Sequence, residues 1–392
     1  MSDNLPSFGA LDAAMATHSD TLIALRRDLH AHPELSWHEE RTTDTVAQLL
    51  DAHGLRVKRL PTSGLVAEIG PSSGPVVALR ADLDALPVQD ATPDEWASTV
   101  EGVTHACGHD VHTTALTGAA LALADIDTSR RVRFIFQPAE EVMPGGAQFA
   151  IEHGVLEEVT NVFALHCDPG LDVGVIGLRE GPLTGAADSI AVTLSGKGGH
   201  TSRPHLTQDL TFALAKLITE LPAVLSRRLD PRAGVSLVWG KVQSGSAHNI
   251  IPSTGLASGT IRMLDAVAWA DAEPLIRQAI DQILAPYGVT WEVRYVRGVP
   301  PVVNEHKATA LLGRIADDMV GEDNRVPIAQ SLGGEDFAWY LEGVPGAMAR
   351  LGTRTPGGPT YDLHQGDLRV DEGAIAIGAR FLARAAISVA AG

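Results

Sequence analysis

The chain has few cysteines, a deficit of basic residues and no long apolar run. Only two of its 392 residues are cysteines, Cys107 and Cys167, so we do not expect a fold held by disulfide bonds. Lysine and arginine number 30 against 48 acidic residues, and this net charge of -18 argues against a nucleic-acid partner. No segment has the roughly 20 consecutive apolar residues of a membrane-spanning helix, so no membrane partner is expected.

The first twenty residues lack a basic start followed by an apolar stretch, so they do not predict a secretory signal. Two unpaired thiols suit a reducing compartment, and we expect a cytoplasmic protein. A thiol in such a compartment is available to bind a metal ion. Because the chain is strongly acidic, an anionic substrate would need a locally placed arginine or lysine.

The length and the hydrophobic pattern predict an α/β fold with an insertion. A chain of 392 residues exceeds one compact core of ordinary size. Short buried strands at 75–87, 131–138 and 161–166 alternate with helical stretches at 112–125 and 145–154, while a longer helical pattern at 19–53 breaks at His32-Pro33. This alternation predicts a largely parallel sheet covered by helices, with its site at the carboxyl ends of the strands.

The pattern changes from about Asp188 onward. Strands and two long helices then form a self-contained α+β block up to residue 297. We therefore predict a catalytic domain made of 1–187 and 298–392, with a smaller domain inserted at 188–297.

A thiol and several imidazoles are concentrated in HACGHDVHT (105–113). Thiolate and neutral imidazole are good ligands for zinc and similar ions, and Gly108 would let the backbone turn bring Cys107 and His109 to one point. A Cys-x-His pair alone is weak evidence. The alternative is a polar helix start with a buried thiol.

Two adjacent carboxylates, Glu140 and Glu141, follow the strand at 131–138. If the chain stays extended, neighbouring side chains point to opposite sides, so one carboxylate could bind a metal while the other faces a water molecule. The alternative is a solvated pair on a loop. His166 is expected at the end of the third strand, with Cys167 facing away, whereas the position of His364 in a loop does not by itself indicate a function.

Ten motifs in order resemble one family. They are LRRDLHAHPELSWHE (25–39), ALRADLDALP (78–87), HACGHDVHT (105–113), FQPAEE (136–141), ALH (164–166), GKGGHTSRPH (196–205), HNIIP (248–252), GTIR (259–262), GGEDF (333–337) and LH (363–364). The chain resembles the metallo-aminoacylase and carboxypeptidase superfamily, in the branch of hippurate hydrolase, N-acyl-amino-acid amidohydrolases and indoleacetyl-amino-acid hydrolases.

The resemblance implies a hydrolase of N-acyl amino acids with two divalent metal ions per subunit. Manganese or zinc is expected, with cobalt or nickel as alternatives. Glu140 would be the general base, and Asp84 would orient a ligand from behind the site. The implied metal ligands are Cys107, His109, Glu141, His166 and His364.

The inserted domain resembles the family's lid, which also forms a homodimer interface. His200 would reach the active site of the partner subunit and stabilise the oxyanion. Asn249 and Arg262 would bind the substrate near its carboxylate. The alternatives from the residues alone are a glycine turn at GKGGH and an ordinary surface strand for the arginine.

The chain departs from the family at two places. The family usually has an aromatic residue shortly after the last histidine, where Leu368 stands here, so the wall of the acyl pocket is undefined. Gly334 occupies a position where serine is common. His105, His112 and His205 are interpreted as structural or supporting residues.

Three other functions are alternatives to hydrolysis of N-acyl amino acids. A dipeptidase or carboxypeptidase of the same superfamily would share every catalytic residue and differ in its pocket. A metal-stabilised binding protein would have no use for the base Glu140. A zinc oxidoreductase using Cys107 would need a glycine-rich nucleotide motif, which the sequence lacks.

Overall fold

The computed structural model describes residues 8–126 and 128–389. The first seven residues, on which the predicted absence of a secretory signal partly rests, lie outside this range. Two compact units are formed: the first takes the chain up to Gly181, Val303–Ala329 and the chain from Asp336 onward, and the second takes Pro182–Val302 and Gln330–Glu335. The second unit thus begins before the predicted residue 188, ends after residue 297 and includes a short return segment.

The helices and strands are numbered in chain order. The helices are α1 Gly9–Thr17, α2 Ser19–Ala31, α3 Glu40–Ala52, α4 His109–Ala124, α5 Gly146–Glu152, α6 Leu210–Arg228, α7 Ala266–Leu284, α8 His306–Val320, α9 Ala338–Gly343 and α10 Gly373–Ser388. The strands are β1 Arg56–Arg59, β2 Leu65–Ile69, β3 Val76–Asp82, β4 Arg131–Gln137, β5 Val159–Asp172, β6 Ile176–Leu178, β7 Gly181–Pro182, β8 Ala186–Ser195, β9 Gly199–His200, β10 Ser236–Ser244, β11 Ile250–Ile251, β12 Thr254–Met263, β13 Thr290–Val299, β14 Val303–Asn304, β15 Arg325–Pro327 and β16 Gly346–Arg354.

The first unit is built on an eight-stranded sheet. Its strand order is β1-β2-β4-β3-β5-β16-β6-β15. The pairs β3–β4, β3–β5, β5–β16 and β6–β15 are parallel, whereas β1–β2, β2–β4 and β16–β6 are antiparallel. A short connection joins β1 to β2, and such a connection permits only antiparallel pairing. The predicted α/β class with a largely parallel sheet is confirmed.

Helix α4 lies at the centre of the first unit. Its residues from His109 to Leu123 are all buried, and it packs against α1, α2, α10 and the sheet. Small side chains permit this close packing: a Cβ atom added at Gly118 would lie 2.7 Å from Cδ1 of Leu22. Because α4 is held on every side, its first residue, His109, is fixed in position.

The helical pattern at 19–53 divides where the sequence predicts. Helix α2 ends at Ala31, directly before His32-Pro33, and α3 begins at Glu40. In the second unit, α6 begins at Leu210 rather than 206 because Asp209 caps it by accepting the Phe212 N–H, and it continues to Arg228 through Pro222.

The second unit has a four-stranded antiparallel sheet in the order β10-β12-β8-β13. Helices α6 and α7 pack against each other and against this sheet. A separate pair, β9 with β11, carries His200 opposite Ile250. No helix of the described chain is both long and apolar enough to cross a membrane.

Candidate metal centre

The predicted site residues of the first unit lie where strands β3, β4 and β5 lead into loops and α4. Strand β3 ends at Asp82, and β4 ends at Gln137, just before the two glutamates. His166 lies inside β5, which continues to Asp172, so the prediction that it ends the strand is wrong. Its neighbour Cys167 lies with Sγ 3.7 Å from the Gly108 carbonyl, against the start of α4.

Gly108 shapes the loop that presents Cys107 and His109. It has a φ of 84° and directly precedes α4. This left-handed conformation suits glycine, and a Cβ atom here would lie 2.9 Å from Sγ of Cys167. The turn brings Cys107 within 3.5 Å of His166, measured from Sγ to Nε2.

Six side chains with metal-binding atoms meet in three overlapping groups, within each of which the ligand atoms lie no more than 4.8 Å apart. Cys107 belongs to two of these groups, and His109 belongs to another with both glutamates. The groups are Cys107, His109 and His166; Cys107, Glu141 and His364; and His109, Glu140 and Glu141. We call Cys107, His109, Glu141, His166 and His364 the metal cluster.

Glu140 and Glu141 lie on the same side, so the expectation from an extended chain is wrong. The chain leaves the strand geometry at Ala139, whose φ is 55°. As a result, Glu140 Oε2 lies 3.9 Å and Glu141 Oε1 3.7 Å from the same atom, Nε2 of His109. Positive φ in a residue other than glycine is strained and persists only where surrounding contacts hold it.

Those contacts come from two buried carboxylates. Asp84 accepts the backbone N–H groups of Glu140 and Glu141, at 3.0 and 2.9 Å, and Glu39 accepts that of Ala139 at 2.7 Å. Hydroxyl groups hold the carboxylates in turn: Ser36 donates to Asp84 and Ser63 to Glu39. The backbone N–H groups of three consecutive residues, 139 to 141, are therefore held by these two buried carboxylates.

Asp84 also orients a predicted ligand. His109 Nδ1 lies 2.9 Å from the carbonyl oxygen of Asp84, which accepts a hydrogen bond and leaves Nε2 facing the glutamates. Among residues 8–126 and 128–389, Nε2 of His109 has no hydrogen-bond partner. The orientation by a carbonyl on one nitrogen is the arrangement typical of a histidine that binds metal through the other.

His112 is buried but lacks a free nitrogen. Its Nδ1 donates to Asp82 at 2.6 Å, and its Nε2 accepts the Cys167 N–H at 2.7 Å. Arg80 holds the other oxygen of Asp82 at 2.6 Å and donates further to Gln137 and Asp336. His112 therefore occupies a supporting position, as the sequence interpretation has it.

His364 completes the cluster from a distant loop. Its backbone has a φ of 63°, and its N–H donates to the Ala106 carbonyl at 2.7 Å, which ties this loop to the Cys107 segment. Its Nε2 lies 3.3 Å from Glu141 Oε1, and the Glu141 carboxylate raises the pKa of His364.

Burial and neighbouring charges shift the pKa values of three cluster residues. Burial raises the pKa of the Cys107 thiol, and Glu141 raises it further. Burial lowers the pKa of His109, but the carboxylates of Asp82 and Asp84 outweigh this and raise it to about 10. Burial also lowers the pKa of His166, and the positive charge of Arg350 adds to that effect.

The residues present fit divalent metal ions. Within the described part of the chain, the buried Nε2 of His109 lacks a hydrogen-bond partner, and Glu141 Oε1 has only the His364 ring, at 3.3 Å. Leaving such atoms unpaired is costly unless a ligand binds them. Thiolate, imidazole and carboxylate together are typical of zinc and related ions, whose binding displaces the protons of these groups.

The three predicted residues of the second unit lie at accessible positions. His200 is exposed on β9, Asn249 is exposed directly before β11, and Arg262 is partly buried on β12. Ser202 donates its backbone N–H to Nδ1 of His200 at 3.1 Å, so the neutral ring carries its hydrogen on Nε2. Arg262 forms no hydrogen bond or ion pair with any residue that the structure describes, and burial lowers its pKa.

Four other residues noted in the sequence lie outside the metal cluster. His105 is buried with neither ring nitrogen bonded to a described residue, and burial lowers its pKa to about 4. His205 is exposed in a short turn. Leu368 is buried, with 4% of its surface exposed. A Cβ atom at Gly334 would lie 3.3 Å from Arg262 Nη1, so the small residue leaves room for that guanidinium.

Sequence reasoning missed the residues that support the cluster. Ser36 and Glu39 lie in the first motif, and Arg80 and Asp336 lie in two others, so the motifs contain the signal but not the contacts. These contacts join residues far apart, such as Glu39 with Ala139 and Arg80 with Asp336.

Comparison with known proteins identifies the family. Residues 78–388 match peptidase family M20/M25/M40. The chain belongs to this family. The resemblance inferred from the ten motifs is thereby confirmed.

Three relatives illustrate the range of similarity. An N-acetyl-L-cysteine deacetylase of Bacillus subtilis is 37% identical over 94% of this chain and 88% of its own length. A dinuclear metal-binding peptidase of the M20 family, also from Bacillus subtilis, has a TM-score of 0.82 at 33% identity, with 95% of this chain and 98% of that chain covered. A Rhodococcus jostii protein named as a glutamate–cysteine ligase is 51% identical over 92% of this chain, but the match spans only 46% of that protein.

Proposed function

We propose that the protein hydrolyses the amide bond of N-acyl amino acids, releasing a carboxylic acid and a free amino acid, with two divalent metal ions. The observation that carries the proposal is the position of Glu140 and Glu141 beside Nε2 of His109, within a cluster of metal-binding side chains. This nitrogen has no hydrogen-bond partner among the described residues. Membership of a metallopeptidase family and the dinuclear metal-binding relative support it.

The metal cluster would hold the ions, and manganese or zinc is proposed, with cobalt or nickel as alternatives. Bound there, the ions would polarise the acyl carbonyl group and lower the pKa of a water molecule. Asp84 would hold His109 and the two glutamates in fixed positions relative to one another, since it contacts all three.

Glu140 would transfer the proton. It accepts a proton from water as the water oxygen adds to the acyl carbon. It then returns the proton to the amine nitrogen as the carbon–nitrogen bond breaks, so that the amino acid leaves as a neutral amine. The hydrogen bond from the Glu140 backbone N–H to Asp84 fixes the backbone position from which this side chain extends.

The second unit would bind the charged groups of substrate and intermediate. With its hydrogen on Nε2, His200 can donate to the oxyanion that forms at the acyl carbon. The Arg262 guanidinium, which has no partner among the described residues, suits the carboxylate of the amino acid, and Asn249 would bind nearby.

The decisive experiment is a substrate panel with chelated enzyme, reconstituted separately with manganese, zinc, cobalt or nickel. The panel contains acetyl and benzoyl amino acids together with dipeptides, and release of free amino acid is measured. N-acetyl-L-cysteine is included because a relative is named for its deacetylation. Metal-dependent release from acyl amino acids is expected. Cleavage of dipeptides alone would indicate a peptidase instead, and no release from either class would overturn the proposal.

A cytoplasmic homodimer is part of the proposal. Strand β10 lies at an edge of the second unit's sheet and exposes 60% of Val238 and 50% of Val242, which suits pairing with a second copy. Both cysteines are free and buried, as in proteins of reducing compartments.

Subunit mixing tests whether His200 acts across the dimer. Inactive Glu140→Gln and His200→Ala chains are co-expressed, so that each mixed dimer has one site with an intact base and an intact partner histidine. Activity should return to about one quarter of the wild-type level for random pairing. No recovery in purified mixed dimers would mean that each site is complete within one subunit.

A further inference from the structure

Arg350 lies next to the metal cluster on the sheet of the first unit. Strands β5 and β16 run parallel, and Arg350 is directly opposite His166 in their register. Side chains of directly opposed residues project from the same face, with backbones about 4.8 Å apart. Since His166 Nε2 contacts Cys107 Sγ, the guanidinium side chain of Arg350 emerges on the face that carries the cluster.

The same two strands also contain an arginine that is paired with a carboxylate. Arg354, four residues further along β16, is opposite Asp172 and pairs with it at 2.6 Å. Arg350 has no hydrogen bond or ion pair with any residue in 8–126 or 128–389. Asp168, two residues beyond His166 on β5, is not such a partner for Arg350, and its carboxylate accepts the Gly170 N–H at 2.9 Å instead.

The surrounding structure makes room for this arginine. Its partner on the other side, in β6, is Gly177. A Cβ atom there would lie 3.1 Å from Cβ of Arg350 and 2.7 Å from Cγ2 of Ile328, so a larger residue would crowd the side chain. The space beside Arg350 is thus maintained by a glycine.

A partly buried cation without a partner is unfavourable, and metal ions bound at the neighbouring cluster would add repulsion. An anionic group on the substrate would offset both costs. Because Arg262 of the second unit is proposed to bind the carboxylate of the amino acid, Arg350 remains available for a negative charge on the acyl group.

We propose that Arg350 selects substrates whose acyl group ends in a carboxylate, which are half-amides of dicarboxylic acids such as succinyl and glutaryl amino acids. This inference rests on the proposed hydrolysis of N-acyl amino acids. Bidentate hydrogen bonding between guanidinium and carboxylate would position the acyl chain with its amide carbonyl at the cluster.

The test compares N-acetyl, N-succinyl and N-glutaryl derivatives of one amino acid. The enzymes are the metal-loaded wild type, Arg350→Met, Arg350→Lys and the matched control Arg354→Met. Arg350→Met should lower kcat/KM for the dicarboxylic substrates about tenfold or more, mainly by raising KM. It should change kcat/KM for the acetyl substrate by less than about threefold. Arg350→Lys should restore part of the loss, and Arg354→Met should leave the ratio between substrates unchanged.

The possible failures are distinguishable. If the wild type cleaves the acetyl substrate, but Arg350→Met leaves the succinyl-to-acetyl ratio unchanged, the role of Arg350 is wrong and the proposed function stands. An equal loss on all three substrates would mean that Arg350 binds the amino-acid carboxylate or maintains the site, which also overturns the inference. If the wild type cleaves none of the three, the proposed function itself fails. Metal content and Tm, measured on every variant, show whether Arg350→Met has folded.

Discussion

Two groups of buried polar residues lie together in the first unit, and they differ in how their atoms are paired. The metal cluster leaves His109 Nε2 without a hydrogen-bond partner in the described chain, and Glu141 Oε1 has only the His364 ring nearby. Behind it is a supporting layer, whose side-chain atoms are bonded to other protein atoms. The supporting layer consists of Glu39, Arg80, Asp82, Asp84 and His112.

This difference separates two functions that residue type alone does not. His109 and His112 are both buried histidines one turn apart on α4. Both ring nitrogens of His112 are bonded, whereas Nε2 of His109 has no hydrogen-bond partner in the part of the chain that the structure describes. An unpaired buried atom that lies among other metal-binding side chains offers a place for a ligand, whereas a fully bonded side chain fixes the geometry of its neighbours. Substitutions in the metal cluster should therefore mainly reduce metal binding, whereas substitutions in the supporting layer should mainly affect stability or the positions of the cluster residues.

The largest effect is expected for His109→Ala. Loss of a group that only orients a ligand weakens metal binding about 10- to 100-fold, so loss of the ligand itself should exceed 100-fold and reduce activity to background. Metal content after dialysis, measured by mass spectrometry, should fall by at least one ion per chain.

His112→Ala is the matched comparison. It leaves Asp82 Oδ1 and the Cys167 N–H unpaired, which should lower the free energy of unfolding by about 1–3 kcal/mol while metal is retained. Equal metal loss in both variants would remove the distinction between cluster and supporting layer.

Glu140→Gln should lower kcat by about 10²- to 10⁴-fold, because the amide cannot accept the proton from water. Metal content and Tm should stay close to those of the wild type, since the backbone N–H of residue 140 still bonds to Asp84. Glu342→Gln, at an exposed position on α9, is the control for a lost negative charge. Full activity in a metal-loaded Glu140→Gln enzyme would rule out Glu140 as the base.

Asp84→Asn should have a smaller effect, about 10- to 100-fold on kcat. Asparagine retains one acceptor oxygen for the N–H groups of Glu140 and Glu141, so one of the two glutamates loses its backbone anchor. Asp51→Asn, on the exposed end of α3, controls for the charge. A variant with unchanged kcat would show that the glutamates need no support from Asp84.

Cys107 and His109 could be selected from the sequence as metal-ligand candidates because they lie in one short motif with suitable chemistry. His364 was selected only through the family resemblance, because its loop position indicates no function. That these residues bind metal stays a prediction. The α/β class was predictable because strand and helix patterns are local. The turn at Ala139 was not, because its strained φ is imposed by Glu39, 100 positions earlier. Arg350 could not be assigned a role before the strand register was known: only the pairing of β5 with β16 places it beside His166.

The smallest effect is expected for Glu39→Gln, a substitution in the supporting layer that changes how stability depends on pH. Burial raises the pKa of Glu39 to about 7, above the ordinary value near 4.5, because the charged form is poorly solvated. The neutral form therefore contributes stability that is present at low pH and is lost as pH rises from about 4.5 through 7.

Glutamine at this position stays neutral and can still accept the Ala139 N–H and pair with Ser63. Thermal unfolding of Glu39→Gln and wild type should therefore coincide near pH 4.5 and diverge above it. The variant should become the more stable by on the order of 1–3 kcal/mol at pH 8. Glu40→Gln, an exposed neighbour, should show no such divergence. Parallel unfolding curves for Glu39→Gln and wild type across this range would mean that Glu39 titrates normally, and that its carboxylate is held by the Ala139 and Ser63 bonds at no cost in solvation.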